Sequence, residues 1–412
     1  MAQLSDDCFA FGGPVLSVEA AQALILERVA PLPGEETVPL LAALGRVLAR
    51  PLVAATPLPP FFNSAVDGYA FRHADLSAAG ETRLVLAGRV AAGHSGLAVR
   101  PGTAARIFTG APMPEGADTV MMQEDAQLDG DALLLPPGLH RHANARPAGE
   151  DVAEGAEALA AGHRLRAPEV GLAAALGFAT LPVRPRLRVG VFSTGDELAS
   201  PGVPLGPAQT YDSNRFTLMA MLAALPVQVT DLGILPDDPQ ATVRALREAA
   251  GTQGLLVTSG GVSAGEEDHV RAAIAGAGSL VFWRLAVKPG RSAAMGVVDG
   301  VPMVGLPGNP VAAVVTFLHL VRPLALRLAG AEPEELLRMT AVSGFAYRKK
   351  SGRREYVRVV LGADMVAQKF PRDGAALLTS LTQSHAFAEL PEDMTELTPG
   401  MPIRLLPFAA IF

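Results

Sequence analysis

The residues best suited to chemistry lie in Leu255–Asp268, which reads LLVTSGGVSAGEED. A short apolar run ends in Ser259, glycines follow, and acids ending in Asp268 close the stretch. This order predicts a buried strand, a tight loop and the start of a helix. Ligands of open α/β sheets bind where strands end and helices begin, and acids there suit a Mg²⁺ ion that holds substrate phosphates. The alternative is an ordinary turn whose acids complement the helix dipole.

Acids also follow two other predicted strands. GVFSTG, residues 190–195, has the glycine spacing of a P-loop, but an acidic pair ending in Glu197 stands where the Lys-Ser/Thr pair would be. This excludes a Walker A nucleotide site. Asp237 and Asp238 follow another strand. Because loops after neighbouring parallel strands converge on one edge of a sheet, Glu197, Asp237 and Asp268 are predicted to form a Mg²⁺–phosphate site.

Cations cluster in FWRLAVKPGR, which contains Arg284, Lys288 and Arg291. The Pro-Gly turn between Lys288 and Arg291 can bring these two side chains together, and clustered cations bind oxyanions or phosphates. A solvated basic edge is the alternative. The rigid turn LPGNP, residues 306–310, precedes a predicted helix and could offer backbone N–H groups to an anion. No spacing typical of a catalytic Ser–His–acid set or of a histidine metal site is evident.

The element that must position these residues is an alternation of strands and helices from Leu187 to Gly330. The predicted strands are Leu187–Ser193, Val227–Gly233, Leu255–Thr258, Leu280–Ala286 and Pro302–Leu306. The predicted helices are Asn214–Leu225, Pro239–Ala250, Glu267–Ala275 and Pro310–Ala329. Short connections and right-handed crossovers predict a doubly wound, mostly parallel α/β domain.

The flanking segments predict smaller domains. Helical patterns at Ser17–Val29, Pro39–Ala49 and near Pro168–Phe178 indicate a helical scaffold, while short strands between Gly and Pro turns indicate β-rich segments on both sides of Leu187 to Gly330. We therefore predict a helical scaffold (1–50 and 147–182), a β-rich insertion (51–146), an α/β domain (183–330) and a small C-terminal β-barrel-like domain (331–412).

Composition excludes several classes of protein. The chain has 412 residues, 49% of them hydrophobic, and a formal net charge of −7, which argues against a nucleic-acid partner. Cys8 is the single cysteine, so an intramolecular disulfide is impossible. The N-terminal residues lack the pattern of a signal peptide, and charged residues and proline interrupt the apolar stretch Val311–Ala329, which favours a core helix over a membrane span. We expect a cytoplasmic protein without a membrane partner.

Seven motifs in order make the chain resemble the molybdopterin molybdenumtransferase family, which includes bacterial MoeA and the E domain of gephyrin. The motifs are PPFFNSAVDGYA, RIFTGAPMPEGADTVMMQED, GVFSTGDEL, YDSNRFTL, LVTSGGVSAGEEDHV, FWRLAVKPGR and VGLPGNPVAAVVTF. The resemblance runs from about Ser17 to the C-terminus. It implies an enzyme that uses Mg²⁺ to insert molybdate into adenylylated molybdopterin with release of AMP. It further implies a four-domain homodimer and handover of the product to apo-molybdoenzymes.

The resemblance also implies roles for individual residues. The metal ligands would be Glu197 and Asp268. The catalytic residues would be Asp67, Thr109, Asp151, Asp237 and Lys288, with Asp238 as an alternative to Asp237. Molybdate or phosphate would contact Arg284, Lys288, Arg291, Arg353 and Ser384, with Arg354 or Arg358 as alternatives to Arg353. The pterin and nucleotide pocket would contain Ser259, Gly260, Gly261, Pro307, Asn309 and Pro310.

Two departures from the family pattern and two competing interpretations accompany this resemblance. Phe62 stands where the family often has an acid, and Arg284 and Arg291 stand where lysine is often seen, which alters the geometry of anion binding. The first competing function is a molybdopterin adenylyltransferase, which would not need the flanking domains. The second is a non-enzymatic scaffold like gephyrin, which would not need Glu197, Asp268, Lys288 and Arg291.

Overall fold

The computed structural model describes Leu4, Phe9 and residues 15–235, 238–260 and 278–412. The chain forms two compact units. The main unit comprises Met1–Arg50, Gly162–Arg166 and Leu181–Phe412, and the insertion unit comprises Pro51–Ala161 and Ala167–Thr180. The predicted helix Glu267–Ala275 lies outside the described residues.

The main unit is built on a six-stranded mixed sheet, which we call the central sheet. Its strands, in spatial order, are Val227–Leu235, Leu187–Thr194, Leu255–Ser259, Val301–Leu306, Ser292–Val298 and Gly278–Arg284. The first four are mutually parallel, and Ser292–Val298 runs antiparallel to both of its neighbours. Both faces are buried, because Val189 and Val257 pack in one core cluster while Phe192 and Leu256 pack in another. Burial on both faces explains the continuous apolar strands and confirms the α/β prediction.

The antiparallel edge of the central sheet differs from the prediction. Ser292–Val298 was not predicted as a strand, yet it pairs with both Val301–Leu306 and Gly278–Arg284. Its sequence, SAAMGVV, is rich in small residues, so its strand signal is weak. The strand forms because its neighbours on both sides provide hydrogen-bonding partners.

Helices pack against the central sheet. Among them are Asn214–Ala223, Pro239–Ala250 and Pro310–Leu328, and Val18–Arg28 packs against the last of these. Pro310–Leu328 is long and apolar enough to cross a membrane by length and composition alone, but 83% of its most apolar window is buried inside the protein. It is therefore packed as a core helix, as predicted. Its middle, Phe317–Val321, is a π-helical turn.

The predicted helix Pro39–Ala49 is wrong. Glu36–Pro39 is a strand, and only Leu40–Ala43 makes a short 3₁₀ turn. Leu41 and Leu44 are 87% and 53% exposed, so the apolar spacing that suggested a helix does not face a core. Gly45 has a φ of +74°, which ends the turn. The backbone N–H groups of the residues after this turn form hydrogen bonds with segments far away in the sequence, and not within a helix.

The C-terminal part of the main unit is a closed barrel. Its strands, in order around the barrel, are Arg354–Leu361, Val366–Lys369, Met339–Ser343, Pro402–Pro407 and Ala386–Leu390, and the last pairs back with the first. Val287–Lys288 adds to Arg354–Leu361 as a short parallel strand. The segment that carries Lys288 therefore joins the central sheet to the barrel, and the predicted β-barrel-like fold is confirmed.

The insertion unit contains a second six-stranded sheet. Its strands, in spatial order, are Thr119–Met122, Gly68–Phe71, Thr103–Ile107, Thr82–Val90, Ala132–Leu135 and Gln127–Asp129. Shorter strands pair Asn63–Ser64 with Ala145–Arg146 and Leu52–Val53 with Glu157–Leu159. The helix Ala167–Ala175 belongs to this unit.

Candidate active site

Three parallel strands of the central sheet end at one edge. Ser193 pairs with Ser259, and Ser259 pairs with Leu306, so the chain leaves all three strands at the same level. The loops that begin at Gly195, Gly260 and Pro307 consequently lie side by side. This is the convergence that the strand pattern predicts for the carboxyl edge of a parallel sheet.

Hydrogen bonds hold two of these loops together. The Ser259 hydroxyl donates to the Pro307 carbonyl over 3.1 Å, and the Gly260 N–H donates to the Leu306 carbonyl over 3.1 Å. A Cβ on Gly308 would lie 3.9 Å from the Cα of Gly260, so the two backbones approach closely. Ser259, Gly260 and Pro307, which the family resemblance assigns to the nucleotide and pterin pocket, are thus neighbours in the fold.

Asn214, which was not among the predicted site residues, completes this contact. Its Nδ2 donates to the Ser259 hydroxyl over 2.9 Å and to the Gly308 carbonyl over 2.7 Å. Its Oδ1 is buried and has no hydrogen-bond partner among the described residues, so it can accept a bond from a ligand. The available signal was an asparagine opening the helix of the YDSNRFTL motif, directly after Ser213.

The predicted acids lie in different surroundings. Glu197 is exposed, and its carboxylate folds back over Gly195, where a Cβ would overlap it. Asp238 instead caps the helix Pro239–Ala250, because its Oδ1 accepts the Ala241 N–H over 2.6 Å. Asp237, Asp268 and Gly261 lie outside the described residues. Within the described part of the chain, no three His, Cys, Asp or Glu side chains are grouped as a metal site.

Lys288 lies in a charged cluster at the junction of the central sheet and the barrel. Its ammonium is 3.2 Å from Glu355 Oε2 and 3.5 Å from the Tyr347 hydroxyl. The same carboxylate accepts bonds from Tyr347 over 2.8 Å and from Arg353 over 2.8 Å. Glu355 is 1% exposed. Burial alone would raise its pKa, but the bonds from Tyr347 and Lys288 hold the pKa of Glu355 below its usual range, so it stays ionised.

Two cavities meet at the turn that follows Lys288. One of about 290 Å³ is lined by Lys288, Tyr347 and Arg358, and the other of about 340 Å³ is lined by Gly260, Arg291 and Asn309. Both include Pro289 and Ala375 in their walls, so they adjoin. Gly290, with a φ of +97°, packs against the helix that begins at Pro310.

Arg284 and Arg291 are exposed at this edge. Neither side chain has a hydrogen bond or an ion pair with another residue that the structure describes. Arg291 lines the 340 Å³ cavity beside the Gly260 and Asn309 loops, whereas Arg284 does not line it. The structure therefore brings Lys288 and Arg291 to adjoining cavities.

The barrel residues do not all converge. Glu355 pairs with Leu390 and Val359 with Ala386, so Arg353 and Ser384 lie beyond opposite ends of the same strand pair. Arg353 and Lys288 both form ion pairs with the carboxylate of Glu355.

Of the two alternatives to Arg353, Arg358 lines the Lys288 cavity and Arg354 does not. Arg354 is held by Glu19, Glu389 and Glu392. Arg358 is 8% exposed, lines the Lys288 cavity, and its Nε has no partner among the described residues. The hydroxyl of Ser384 is also buried, and it has no hydrogen-bond partner among the described residues. An oxyanion that entered this cavity could satisfy the Arg358 guanidinium.

In the insertion unit, the predicted residues Asp67 and Thr109 are in direct contact. Asp67 Oδ1 accepts the Thr109 N–H over 2.7 Å and the Thr109 hydroxyl over 2.8 Å. These two bonds, the backbone bond first, lower the pKa of Asp67. Asp151 is exposed, and its carboxylate bonds to neither residue of this pair.

Comparison with known proteins places this geometry in a family. Models for the MoeA N-terminal region (domain I and II), a probable molybdopterin binding domain and the MoeA C-terminal region (domain IV) match residues 16–177, 190–327 and 340–408.

Whole-length relatives agree with the family models. Molybdopterin molybdenumtransferase of Haemophilus influenzae is 36% identical, over 96% of this chain and 99% of the relative. Molybdopterin molybdenumtransferase 2 of Mycobacterium tuberculosis is 38% identical, over 90% and 94%. The crystal structure of the molybdopterin biosynthesis MoeA protein from Pyrococcus horikoshii superposes with a TM-score of 0.80 at 27% identity, over 95% of this chain and 99% of that one. The chain therefore belongs to the molybdopterin molybdenumtransferase family.

Proposed function

We propose that this protein inserts molybdate into adenylylated molybdopterin and releases AMP. The observation that carries this proposal is the pair of adjoining cavities on either side of Pro289. One cavity presents Lys288 and Arg358, and the other presents Arg291 beside the Gly260 and Asn309 loops. Cations suit molybdate and phosphate oxygens, while loops at the carboxyl edge of a parallel sheet suit a nucleotide.

The side chains have distinct roles in this proposal. Lys288 supplies a positive charge whose position is fixed by Glu355, while half of its side chain remains exposed to a ligand. Arg358 has a buried and unsatisfied N–H, which an oxyanion would complete. Asn214 and Ser259 hold the two loops at a fixed separation, so a phosphate group is oriented before the reaction.

Mg²⁺ dependence is part of the proposal. Glu197 is an exposed carboxylate at the same edge of the sheet and has no ion pair with another described residue. Mg²⁺ usually binds through one or two carboxylates together with substrate phosphates, so this donor fits the ion. Glu197 would hold it, with Asp268 as the second proposed ligand. When bound, the ion would neutralise charge on the phosphates of the substrate.

The cellular setting is proposed with the activity. We infer a cytoplasmic homodimer that passes its product to apo-molybdoenzymes. The exposed side chains of Leu41 and Leu44 offer apolar surface that a second subunit would cover.

The test is release of AMP from adenylylated molybdopterin by the purified protein, with Mg²⁺ and with or without molybdate. We expect molybdate-dependent release that Lys288→Ala reduces strongly. Lys350→Ala, which removes the same charge from another exposed lysine, is the matched control and should behave as wild type. Release without molybdate would identify a hydrolase instead, and binding of substrate without any AMP release would support the non-enzymatic scaffold.

A further inference from the structure

Two arginines of the insertion unit share one aromatic ring. The guanidinium carbon of Arg89 lies 5.3 Å from the ring centroid of Phe108, and that of Arg106 lies 5.2 Å from the same centroid. Arg106 also lies 4.9 Å from the ring centroid of Tyr69. The strand register explains this group, because Arg106 is directly opposite Tyr69 on one neighbouring strand and Arg89 on the other. Residues opposite each other in a sheet share a face.

The positive charge of this group is not neutralised by an ion pair. Within the described residues, neither Arg89 nor Arg106 pairs with a carboxylate. Arg106 donates to neutral acceptors, the Gly68 carbonyl over 3.3 Å and the Gln123 side-chain oxygen. Arg89 is exposed, and its guanidinium makes no hydrogen bond with another described residue. Two like charges on one ring repel each other, so an anion that joined them would be bound favourably.

The arginine pair lies next to two of the predicted site residues, Asp67 and Thr109. Phe108 directly precedes Thr109, whose N–H and hydroxyl bond to Asp67. Arg106 also contributes to the lowered pKa of Asp67, after the two bonds from Thr109. The arginine pair therefore borders the Asp67–Thr109 contact.

We propose that Arg89 and Arg106 form a subsite for a tetrahedral oxyanion of the substrates. This inference rests on the proposed function, in which the oxyanion is either a phosphate of adenylylated molybdopterin or molybdate. A guanidinium presents a planar fork of N–H donors that matches such oxygens, and contact with the Phe108 ring restricts the position of that fork before the ligand arrives. Arg89 is the residue that contacts the ligand, because its donors are free.

The test compares three variants of the intact protein. Arg89→Ala removes the charge and the fork, and Arg89→Lys keeps the charge but loses the fork. Arg83→Ala is the matched control, because Arg83 is an exposed arginine on the same strand, Thr82–Val90, but is paired with Asp129. KM and kcat are measured separately for both substrates, and thermal melting checks that each variant is folded.

We expect Arg89→Ala to raise KM for one substrate about tenfold, the size expected for loss of a charge-assisted hydrogen bond, and to change kcat little. Arg89→Lys should recover part of the loss, and Arg83→Ala should match wild type. A rise in KM for adenylylated molybdopterin identifies the phosphate as the bound group, and a rise for molybdate identifies molybdate. If Arg89→Ala and Arg83→Ala have the same KM for both substrates, the subsite does not exist, while wild-type turnover leaves the proposed function intact.

A second measurement separates the two hypotheses. If the wild-type protein shows no turnover, the proposed function is wrong, and titration with inorganic pyrophosphate and with molybdate then decides the subsite by calorimetry. Binding that is about tenfold weaker in Arg89→Ala than in Arg83→Ala supports the subsite for either anion. Equal affinity of the two variants for both anions overturns it.

Discussion

The ammonium of Lys288 lies 3.2 Å from a carboxylate oxygen of Glu355, and the two residues differ sharply in exposure. The Lys288 side chain is 51% exposed and that of Glu355 is 1% exposed. The carboxylate is buried, yet it remains charged because Tyr347, Lys288 and Arg353 all donate to it. The Lys288 ammonium is thus held by a barrel carboxylate, while the exposed half of the side chain is accessible to a ligand.

Replacement of Glu355 tests this arrangement. Glu355→Gln keeps the shape but removes the charge that orients Lys288, so we expect a higher KM for molybdate and a loss of about 1–3 kcal/mol in unfolding free energy. The half-exposed partner keeps this cost below that of a fully buried pair. Urea unfolding and AMP release measure the two effects. Glu396→Gln, in the exposed pair with Arg348, should change the unfolding free energy by less than about 1 kcal/mol; an equal loss in both variants would contradict the buried role of Glu355.

The turn after Lys288 depends on a glycine. A Cβ at Gly290 would lie 3.0 Å from the Ala312 carbonyl oxygen and would overlap the Thr316 hydroxyl, and the φ of +97° is unfavourable for alanine. We therefore expect Gly290→Ala to displace the Lys288–Arg291 turn and to lower AMP release. Gly352→Ala is the control, because Gly352 has a φ of +83° but no atom within 4 Å of its Cβ position. If both variants keep full activity, the close packing of Gly290 does not position the turn.

His319 predicts how stability depends on pH. The ring is 1% exposed, neither nitrogen has a hydrogen-bond partner among the described residues, and burial lowers its pKa to about 4. In the unfolded chain this histidine binds a proton as the pH falls below about 6.5, whereas in the folded chain it stays neutral until about pH 4. The free energy of unfolding therefore decreases as the pH drops from 6.5 towards 4. We expect this residue to account for about 2 kcal/mol of the loss in unfolding free energy between pH 7 and pH 5.

The measurement is urea unfolding at both pH values for wild type, His319→Leu and His94→Ala. The His319 variant should lose less stability on acidification than wild type does, and the variant of the exposed His94 should resemble wild type. Equal acid sensitivity in all three proteins would assign the effect to other groups.

The Asp67–Thr109 contact predicts a titration. Thr109→Val removes the hydroxyl donor and leaves the backbone donor, so the pKa of Asp67 should rise towards its usual range without reaching it. Since the folded pKa of Asp67 is depressed, its favourable contribution to stability is present above the unfolded pKa and disappears as the pH falls through the folded value. NMR titration of the Asp67 carboxyl measures the shift. Thr180→Val, a change at an exposed threonine, should leave it unaltered.

The sequence by itself was sufficient for the fold class, and the roles that it suggests for the candidate residues stay predictions. Alternating apolar strands and helices after Leu187 predicted the α/β domain, because strand and helix periodicity is a local property that short segments carry. The convergence of the loops after Ser193 and Ser259 also followed, because parallel strands must end at a common edge. The family motifs identified Asp67 and Thr109, although nothing in their spacing showed that they would bond to each other.

Only the tertiary structure decided which distant side chains meet. It joined Lys288 to Glu355, selected Arg358 over Arg354 beside Lys288, and brought Asn214 to Ser259. It also replaced the predicted helix at Pro39–Ala49 with a strand and a short turn. These outcomes depend on register and packing between segments far apart in the chain, and the local pattern of either segment alone does not contain that information.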